Sequence, residues 1–127
     1  MGAIRLEHVN IHTAAYEETK DFFAEVVGLR VGPRPHFDFP GYWMYAGDQP
    51  VIHISGKAGG VGSGAINHVS FRSTGFLETL ELLERRELTY RVAEVPGTRD
   101  RQIFVADPNG VTVELTFADA EVADLAA

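Results

Sequence analysis

Hydrophobic and polar residues alternate in two stretches of the chain that are nearly the same. The stretches are LEHVNI at residues 6–11 and INHVSF at residues 66–71, so the two histidines stand 60 positions apart. Alternation with a period of two is typical of a half-buried β-strand. A strand that occurs twice, with the same His-Val pair, predicts two related modules that each supply one histidine.

The first half of the chain predicts the element order β-α-β-β-β. The expected bounds are a strand over 4–12, a helix over 15–27, and strands over 29–32, 42–46 and 51–54. Phe22, Phe23, Val26 and Val27 recur near helical spacing, Thr13 is the expected cap, and Gly28 is expected to end the helix in a left-handed conformation.

The second half predicts the same order. Its expected elements are a strand over 65–72, a helix over 76–87, and strands over 88–95, 102–106 and 111–117, with Asp107–Gly110 as a hairpin turn. The segment 56–64 holds five glycines in nine residues and reads as a linker. We therefore expect a single domain of module one (4–55), linker (56–64), module two (65–117) and an acidic, alanine-rich tail (118–127) that forms a frayed helix.

Composition narrows the classes of function. The 127 residues carry a net charge of −7, which argues against binding to nucleic acid or to anionic membranes. No signal peptide or membrane span is recognisable, so the protein is expected to be cytoplasmic and to act on a small molecule. Cysteine is absent, so a transition-metal site would have to use His, Asp or Glu.

Four residues are candidates for chemistry because their spacing follows the repeat. His8 and His53 are 45 positions apart, on the first and last strands of module one, and His68 and Glu114 are 46 apart in module two. Two imidazoles and a carboxylate can bind a divalent cation and leave coordination positions open. A lone strand histidine is more often a hydrogen-bonded core or rim residue, and Glu114 alone would be a solvated charge; the shared spacing favours the metal site.

These pieces together resemble the vicinal oxygen chelate superfamily of glyoxalases, bleomycin-resistance proteins and extradiol dioxygenases. The resemblance extends from Ile4 to Phe117 and includes FVADPNGVTVE at residues 104–114, which is similar to the family's aromatic-x-x-Asp-Pro-x-Gly-x-x-x-Glu signature. It implies an α+β fold in which two βαβββ modules form a curled mixed-sheet half-barrel, and it favours a homodimer. It also implies that His8, His68 and Glu114 bind one metal ion.

Three functions are compatible with this resemblance. The first is an extradiol-dioxygenase-like oxidoreductase that uses Fe(II) or Mn(II) on a substrate chelated through adjacent oxygens. The second is a glyoxalase-I-like lyase or isomerase that uses Zn(II) or Ni(II), and the third is a metal-free binding protein of the bleomycin-resistance type. Phe104 stands where the dioxygenases usually carry a tyrosine, which counts against ring cleavage.

Two questions about the predicted site stay open from the sequence. His53 corresponds either to a fourth metal ligand or to a catalytic histidine that transfers protons, and we assign it the catalytic role. Asn10, Tyr45 and Phe104 are the expected substrate-binding residues. The metal ligands come either from one chain or, in a swapped dimer, from two.

Overall fold

A computed structural model of the chain describes residues 1–118. The chain forms two compact units, Met1–Gly60 and a second that begins at Val61. The predicted tail lies outside the described residues except for its first residue. No helix in the described part of the chain is long and apolar enough to cross a membrane.

The first unit has the predicted order of one strand, one helix and three strands. Its elements are β1 (Val9–His12), α1 (Tyr16–Phe22) continued by a π-helical turn (Phe23–Val27), β2 (Arg30–Gly32), β3 (Gly41–Ala46) and β4 (Gln49–Ser55). The strands form one sheet in the order β1-β4-β3-β2, in which only β1 and β4 are parallel. Helix α1 lies against β3 and β4, so one face of the sheet is covered and apolar.

The second unit repeats this arrangement. Its elements are β5 (Val69–Arg72), α2 (Phe76–Arg85), β6 (Tyr90–Glu94), β7 (Arg101–Ala106) and β8 (Thr112–Phe117). The sheet order is β5-β8-β7-β6, with β5 parallel to β8 and the other pairs antiparallel. The predicted α+β fold of two βαβββ modules is confirmed: the chain forms two four-stranded mixed sheets, and neither sheet is closed.

Alternation along the strands separates an apolar face from a polar one in each sheet. The apolar face holds the buried side chains of each unit, among them Met44, Ile52 and Ile54 in the first and Ile103, Val113 and Leu115 in the second. Burial of such side chains is the main driving force for folding. The opposite face carries the histidines and carboxylate that the sequence singled out.

The two histidine-bearing strands begin later than predicted, at Val9 and Val69 rather than at residues 4 and 65. In the parallel register Val9 lies opposite Ile52, so a longer β1 would have to pair with Pro50, which has no N–H to donate. Val69 lies opposite Val113, and a longer β5 would need Val111, whose N–H and C=O are both bonded to Asp107. His8 and His68 therefore occupy the position just before the ladder, where the side chain is not held in the sheet.

The first helix also differs from its prediction in its second half. Residues Phe23–Val27 form a π-helical turn whose N–H groups reach five residues back, and Gly28 ends it with φ 84° as predicted. The wider turn lets Phe22, Phe23 and Val26 all be buried, although Phe22 and Phe23 are adjacent in sequence.

The carboxylate of Asp107 should be the main stabiliser of the β7–β8 turn. It is buried, and its Oδ1 accepts the backbone N–H groups of Asn109 and Val111, each at 2.8 Å. We expect Asp107→Ala to lower the free energy of unfolding by about 2–3 kcal/mol, because two part-buried donors lose a charged acceptor. Urea denaturation followed by circular dichroism measures this loss.

Asp48 supplies the matched control, because it lies in the corresponding β3–β4 turn but is exposed and accepts only the Gln49 side chain at 3.3 Å. Asp48→Ala should change stability by no more than about 0.5 kcal/mol. Equal losses in the two variants would contradict the structural role given to Asp107.

Candidate functional site

The candidate residues lie at equivalent positions of the two sheets. On the polar face of the first sheet Asn10, His53 and Trp43 are direct cross-strand neighbours. On the polar face of the second sheet the equivalent neighbours are Ser70, Glu114 and Phe104. His53 and Glu114 therefore hold the same place in the repeated ladder, and His8 and His68 each stand two residues before the first member of a row.

Three aromatic rings in the first unit form a stack that we call the imidazole cluster: His8, His53 and Trp43. The His53 ring is parallel to His8 with centroids 3.8 Å apart and to Trp43 with centroids 3.9 Å apart. His53 is thus held between two flat partners, and its orientation is determined by stacking.

Hydrogen bonding assigns the proton of His53 to one nitrogen. Its Nε2 is 3.1 Å from the carbonyl oxygen of Pro50, which can only accept, so Nε2 carries the hydrogen. In the neutral ring the lone pair is then on Nδ1. Burial lowers the pKa of His53 below its usual 6.5, and the neighbouring His8 lowers it further, while the bond to Pro50 opposes the shift. His53 is therefore neutral at pH 7 and able to accept a proton.

His8 is oriented by the residue just before it. The carboxylate Oε1 of Glu7 lies 3.1 Å from Nδ1 of His8 and accepts its hydrogen. This leaves the lone pair of His8 on Nε2. A histidine that gives its other N–H to a carboxylate or carbonyl is the usual form of a metal ligand, because the partner fixes both tautomer and ring orientation.

His68 has the same arrangement in the second unit. Its Nδ1 lies 2.8 Å from the amide oxygen of Asn67, so Nδ1 donates there and Nε2 is the nitrogen that remains for another partner. That Nε2 faces Oε1 of Glu114 at 3.4 Å. Two atoms that each lie about 2.1 Å from a shared cation are roughly 3.0–3.4 Å apart, so this pair fits two neighbouring ligands of one metal ion.

Glu114 is held by a group of polar neighbours that we call the carboxylate cluster: Ser70, Thr116, Gln102 and His68. Oε2 accepts the hydroxyls of Ser70 at 2.5 Å and Thr116 at 2.6 Å, and Oε1 accepts the Gln102 amide at 3.1 Å. Burial alone would raise the pKa of Glu114, but these bonds and the nearby His68 outweigh it and lower the pKa below 4.5. The carboxylate is therefore charged and fixed in place at neutral pH.

The predicted substrate-binding residues are placed differently from one another. Asn10 is exposed beside His53, where its Oδ1 accepts the Ser55 hydroxyl at 3.0 Å. Phe104 meets the edge of His68 with centroids 5.9 Å apart. The Tyr45 hydroxyl already donates to the carbonyl of Pro33 at 2.5 Å, so its interaction is internal.

Trp43 is the aromatic residue of this region that was not among the expected substrate-binding residues. The ladder between β3 and β4 shifts between Met44 and Tyr45, and this irregularity cannot be read from alternation alone. Trp43 occupies the position equivalent to Phe104, so aligning the two modules residue by residue could have identified it.

The predicted metal ligands are divided between the two units: His8 lies in the first, and His68 and Glu114 lie in the second. Among residues 1–118 no group of three or more His, Asp or Glu side chains is arranged to hold a metal ion. His68 and Glu114 do lie together in one unit, and His8 stacks with His53 in the other. The assignment of His8, His68 and Glu114 to one metal ion stays a prediction.

Comparison with protein families identifies the class. The family model described as the Glyoxalase/Bleomycin resistance protein/Dioxygenase superfamily matches residues 5–115. The chain therefore belongs to this superfamily, as the motifs predicted. No curated protein matches the chain significantly.

Solved structures share the fold at low sequence identity. A putative glyoxalase family protein from Bacillus anthracis is 21% identical, with a TM-score of 0.73 over 94% of this chain and 99% of that one. The fosfomycin resistance protein FosX from Listeria monocytogenes, solved as a variant with Mn(II) and a dihydroxypropylphosphonic acid, is 13% identical, with a TM-score of 0.75 over 94% and 96%. A lactoylglutathione lyase from Agrobacterium tumefaciens is 13% identical, with a TM-score of 0.63 over 92% and 96%. At these identities the likeness shows the fold.

The lowered pKa of Glu114 should make stability depend on pH. A carboxyl group with a lower pKa in the folded than in the unfolded protein stabilises fully above its unfolded pKa, and that contribution is lost as pH falls through the folded value. In chelator-treated protein, the difference in unfolding free energy between wild type and Glu114→Gln should be constant above about pH 5.5 and shrink below the ordinary value of 4.5. Urea titrations from pH 3 to 6 measure it, and a difference that grows on acidification would contradict the assigned hydrogen bonds.

The pKa of His53 should rise when its neighbours in the imidazole cluster are removed. Trp43→Ala exposes the ring and His8→Ala removes a like charge, so each variant should move the pKa upward toward 6.5. Trp43→Phe, which keeps a flat partner, should change it less. NMR titration of the imidazole protons in metal-free protein provides the measurement, and an unchanged or lowered pKa in both alanine variants would refute the stated cause.

Proposed function

We propose that this protein is a metal-dependent enzyme whose substrate chelates one divalent cation through two adjacent oxygens. The observation that supports it is shared by both units: the histidine before the first strand donates Nδ1–H to the preceding side chain, which leaves Nε2 as the nitrogen that can bind a cation. A solvated surface histidine has no need of such a partner. Its occurrence at both equivalent positions favours ligands over rim residues.

His8, His68 and Glu114 are the proposed ligands, each through an atom that the structure leaves with a lone pair. Fe(II) and Mn(II) suit this oxygen- and nitrogen-donor set, and Zn(II) and Ni(II) are the alternatives. When bound, such a cation would polarise the two substrate oxygens and favour their deprotonated forms. Ser70, Thr116 and Gln102 would hold the Glu114 carboxylate in a single orientation.

His53 is proposed as the catalytic base rather than a fourth ligand. Its Nε2 is engaged by Pro50, so only Nδ1 can act, and the lowered pKa keeps that nitrogen unprotonated at pH 7. It can therefore accept a substrate proton at Nδ1 and return it later. Stacking between His8 and Trp43 keeps the ring in one position and so limits where the proton can be delivered.

The leading reaction class is extradiol-dioxygenase-like oxidation. With His53 excluded as a ligand, the set becomes two histidines and one carboxylate, which is typical of non-haem Fe(II) oxygenases. The neutral His53 would take a hydroxyl proton from a catechol-like substrate. Flat apolar surface beside it is provided by Trp43, and Asn10 offers an exposed amide next to the same ring.

One observation favours a second class, a glyoxalase-I-like lyase or isomerase. The aromatic residue that borders His68 is Phe104, which has no hydroxyl to act on an oxygenated intermediate. Transfer of a proton between adjacent carbons needs only a positioned base, and His53 provides one. A metal-free binding protein is the outcome if no cation binds.

Metal analysis tests the proposed ligands. We expect protein purified without chelator to hold close to one equivalent of a transition metal, and His8→Ala, His68→Ala and Glu114→Ala each to weaken metal binding by about 100-fold or more, because one of three ligands is lost. Elemental analysis and metal titration followed by Trp43 fluorescence provide the measurements. His36→Ala, an exposed loop histidine, is the control.

His53→Ala separates the two roles of the histidines. It should retain the metal and lose turnover by about 100-fold or more, because general base catalysis contributes on that scale. Oxygen uptake with catechols under Fe(II) loading would identify the dioxygenase class, and turnover of a hemithioacetal without uptake would identify the lyase. Unchanged metal binding in all three ligand variants would refute the site, and metal loss in His53→Ala would show that it is a ligand.

A further inference from the structure

A second cluster of charged and aromatic side chains lies outside the proposed metal site. Phe37 and Phe39 stack in the segment before β3, with centroids 5.1 Å apart and planes at 15°. The Arg34 guanidinium carbon lies 5.0 Å from the first ring centre and 5.4 Å from the second. Lys57, which follows β4, places its ammonium nitrogen 4.1 Å from the centre of Phe39. Two cations therefore converge on one ring.

Neither cation is neutralised within the part of the chain that is described. Lys20, Arg72 and Arg99 all form ion pairs with carboxylates. Arg34 and Lys57 do not, in residues 1–118, although Asp38 stands between the two phenylalanines.

The described residues use only part of the hydrogen-bonding capacity of the Arg34 guanidinium. Its Nη2 donates to the carbonyl of Phe39 at 3.1 Å, which orients the guanidinium. Its Nε is buried and makes no hydrogen bond within the described residues. The buried Nε is not accessible to a ligand, whereas Nη1 is not buried and makes no hydrogen bond within the described residues. The Phe39 carbonyl therefore holds the guanidinium in one orientation, and Nη1 is the donor that a ligand oxygen would meet.

The two segments that carry the cluster adjoin the start of β3 and the end of β4, the strands that carry Trp43 and His53. Ser55 is two residues beyond His53 on β4 and pairs with Gly41, the first residue of β3. The Gly56 N–H donates to Pro40 at 2.7 Å, which ties the end of β4 to the segment that bears Phe39. Lys57 is four residues from His53, or up to about 13 Å along an extended strand. A small molecule with its reactive oxygens near His53 could reach the cluster with its other end.

We propose that Arg34, Lys57 and the Phe37–Phe39 pair form a subsite for an anionic group: a carboxylate, phosphate or phosphonate. The guanidinium and ammonium bind the oxygens, and the rings hold both cations and shield one side from water. Binding of an anion at this subsite does not depend on the proposed function. The further statement that the anion is part of the substrate rests on the proposed function, and it makes the substrate an anionic small molecule.

The alternative role of these contacts is cation–π packing without a ligand, which contributes about 0.5–1 kcal/mol at exposed sites. Arg30 is an example of such packing: its guanidinium carbon lies 5.2 Å from the Tyr45 ring centre, and its Nη2 donates to the carbonyl of Gly47. Within residues 1–118, Arg30 has neither a second cation on the same ring nor a buried nitrogen without a partner. It is therefore the matched control.

The test is calorimetric titration of the full chain, treated with chelator, with phenylphosphate as the probe. We expect binding that weakens at least tenfold in Arg34→Gln and in Lys57→Gln, because each removes a charge-assisted hydrogen bond, and that is unchanged in Arg30→Gln. Arg34→Lys, which keeps the charge but loses the fork, should bind with intermediate affinity. Benzyl alcohol, which has the ring without the charge, should not bind measurably.

Several results would overturn the subsite: equal affinity in wild type, Arg34→Gln and Lys57→Gln; an equal loss in Arg30→Gln; or binding of benzyl alcohol as tight as that of phenylphosphate. If Arg34→Gln does not fold, Lys57→Gln decides, since Lys57 is exposed. His68→Ala should bind phenylphosphate like wild type. Failure of the metal site would therefore leave this result intact, and failure of the subsite would leave metal binding intact.

Discussion

The parallel pairing of the first and last strands of each unit positions the residues of the proposed catalytic site. That pairing places Asn10 beside His53 and Ser70 beside Glu114, although the partners are more than forty residues apart in the sequence. It also ends each ladder at the residue after the histidine, because Pro50 and Val111 cannot extend it. The histidines are thus adjacent to the sheet but not held by it, and side-chain hydrogen bonds from Glu7 and Asn67 orient them instead.

The equivalent positions of the two ladders, His53 and Glu114, have opposite electrostatic environments. In the first, aromatic stacking and burial favour the neutral form of His53 and make it a base. In the second, four hydrogen-bonding or charged neighbours favour the ionised form of Glu114. One unit therefore supplies a proton acceptor and the other a permanent negative charge, from equivalent backbone positions. This division is what a metal-dependent enzyme with a separate base requires.

The proposed metal site and the proposed anion subsite bind their ligands through different interactions. The proposed metal ligands offer lone pairs that neighbouring side chains orient: acceptors orient His8 and His68, and donors orient Glu114. The Arg34–Lys57 cluster instead holds two uncompensated positive charges on a stacked aromatic pair. Together, the two proposed features would select substrates that carry an anion at a distance from their reactive oxygens.

Alternation and turn residues were sufficient to predict the βαβββ order twice, the turn at Asp107–Gly110, and the membership of the superfamily, because these depend on local pattern and short motifs. The repeat spacing also selected His8, His53, His68 and Glu114 as candidates, and their roles stay predictions. What alternation could not show were the delayed strand starts, the π-helical turn and the shift after Met44, since each depends on which residue lies opposite. The stacking of Trp43 on His53, the proton on Nε2 of His53 and the hydrogen bonds around Glu114 were decided only by the tertiary structure, because they join side chains that are distant in sequence and become neighbours through the ladder alone.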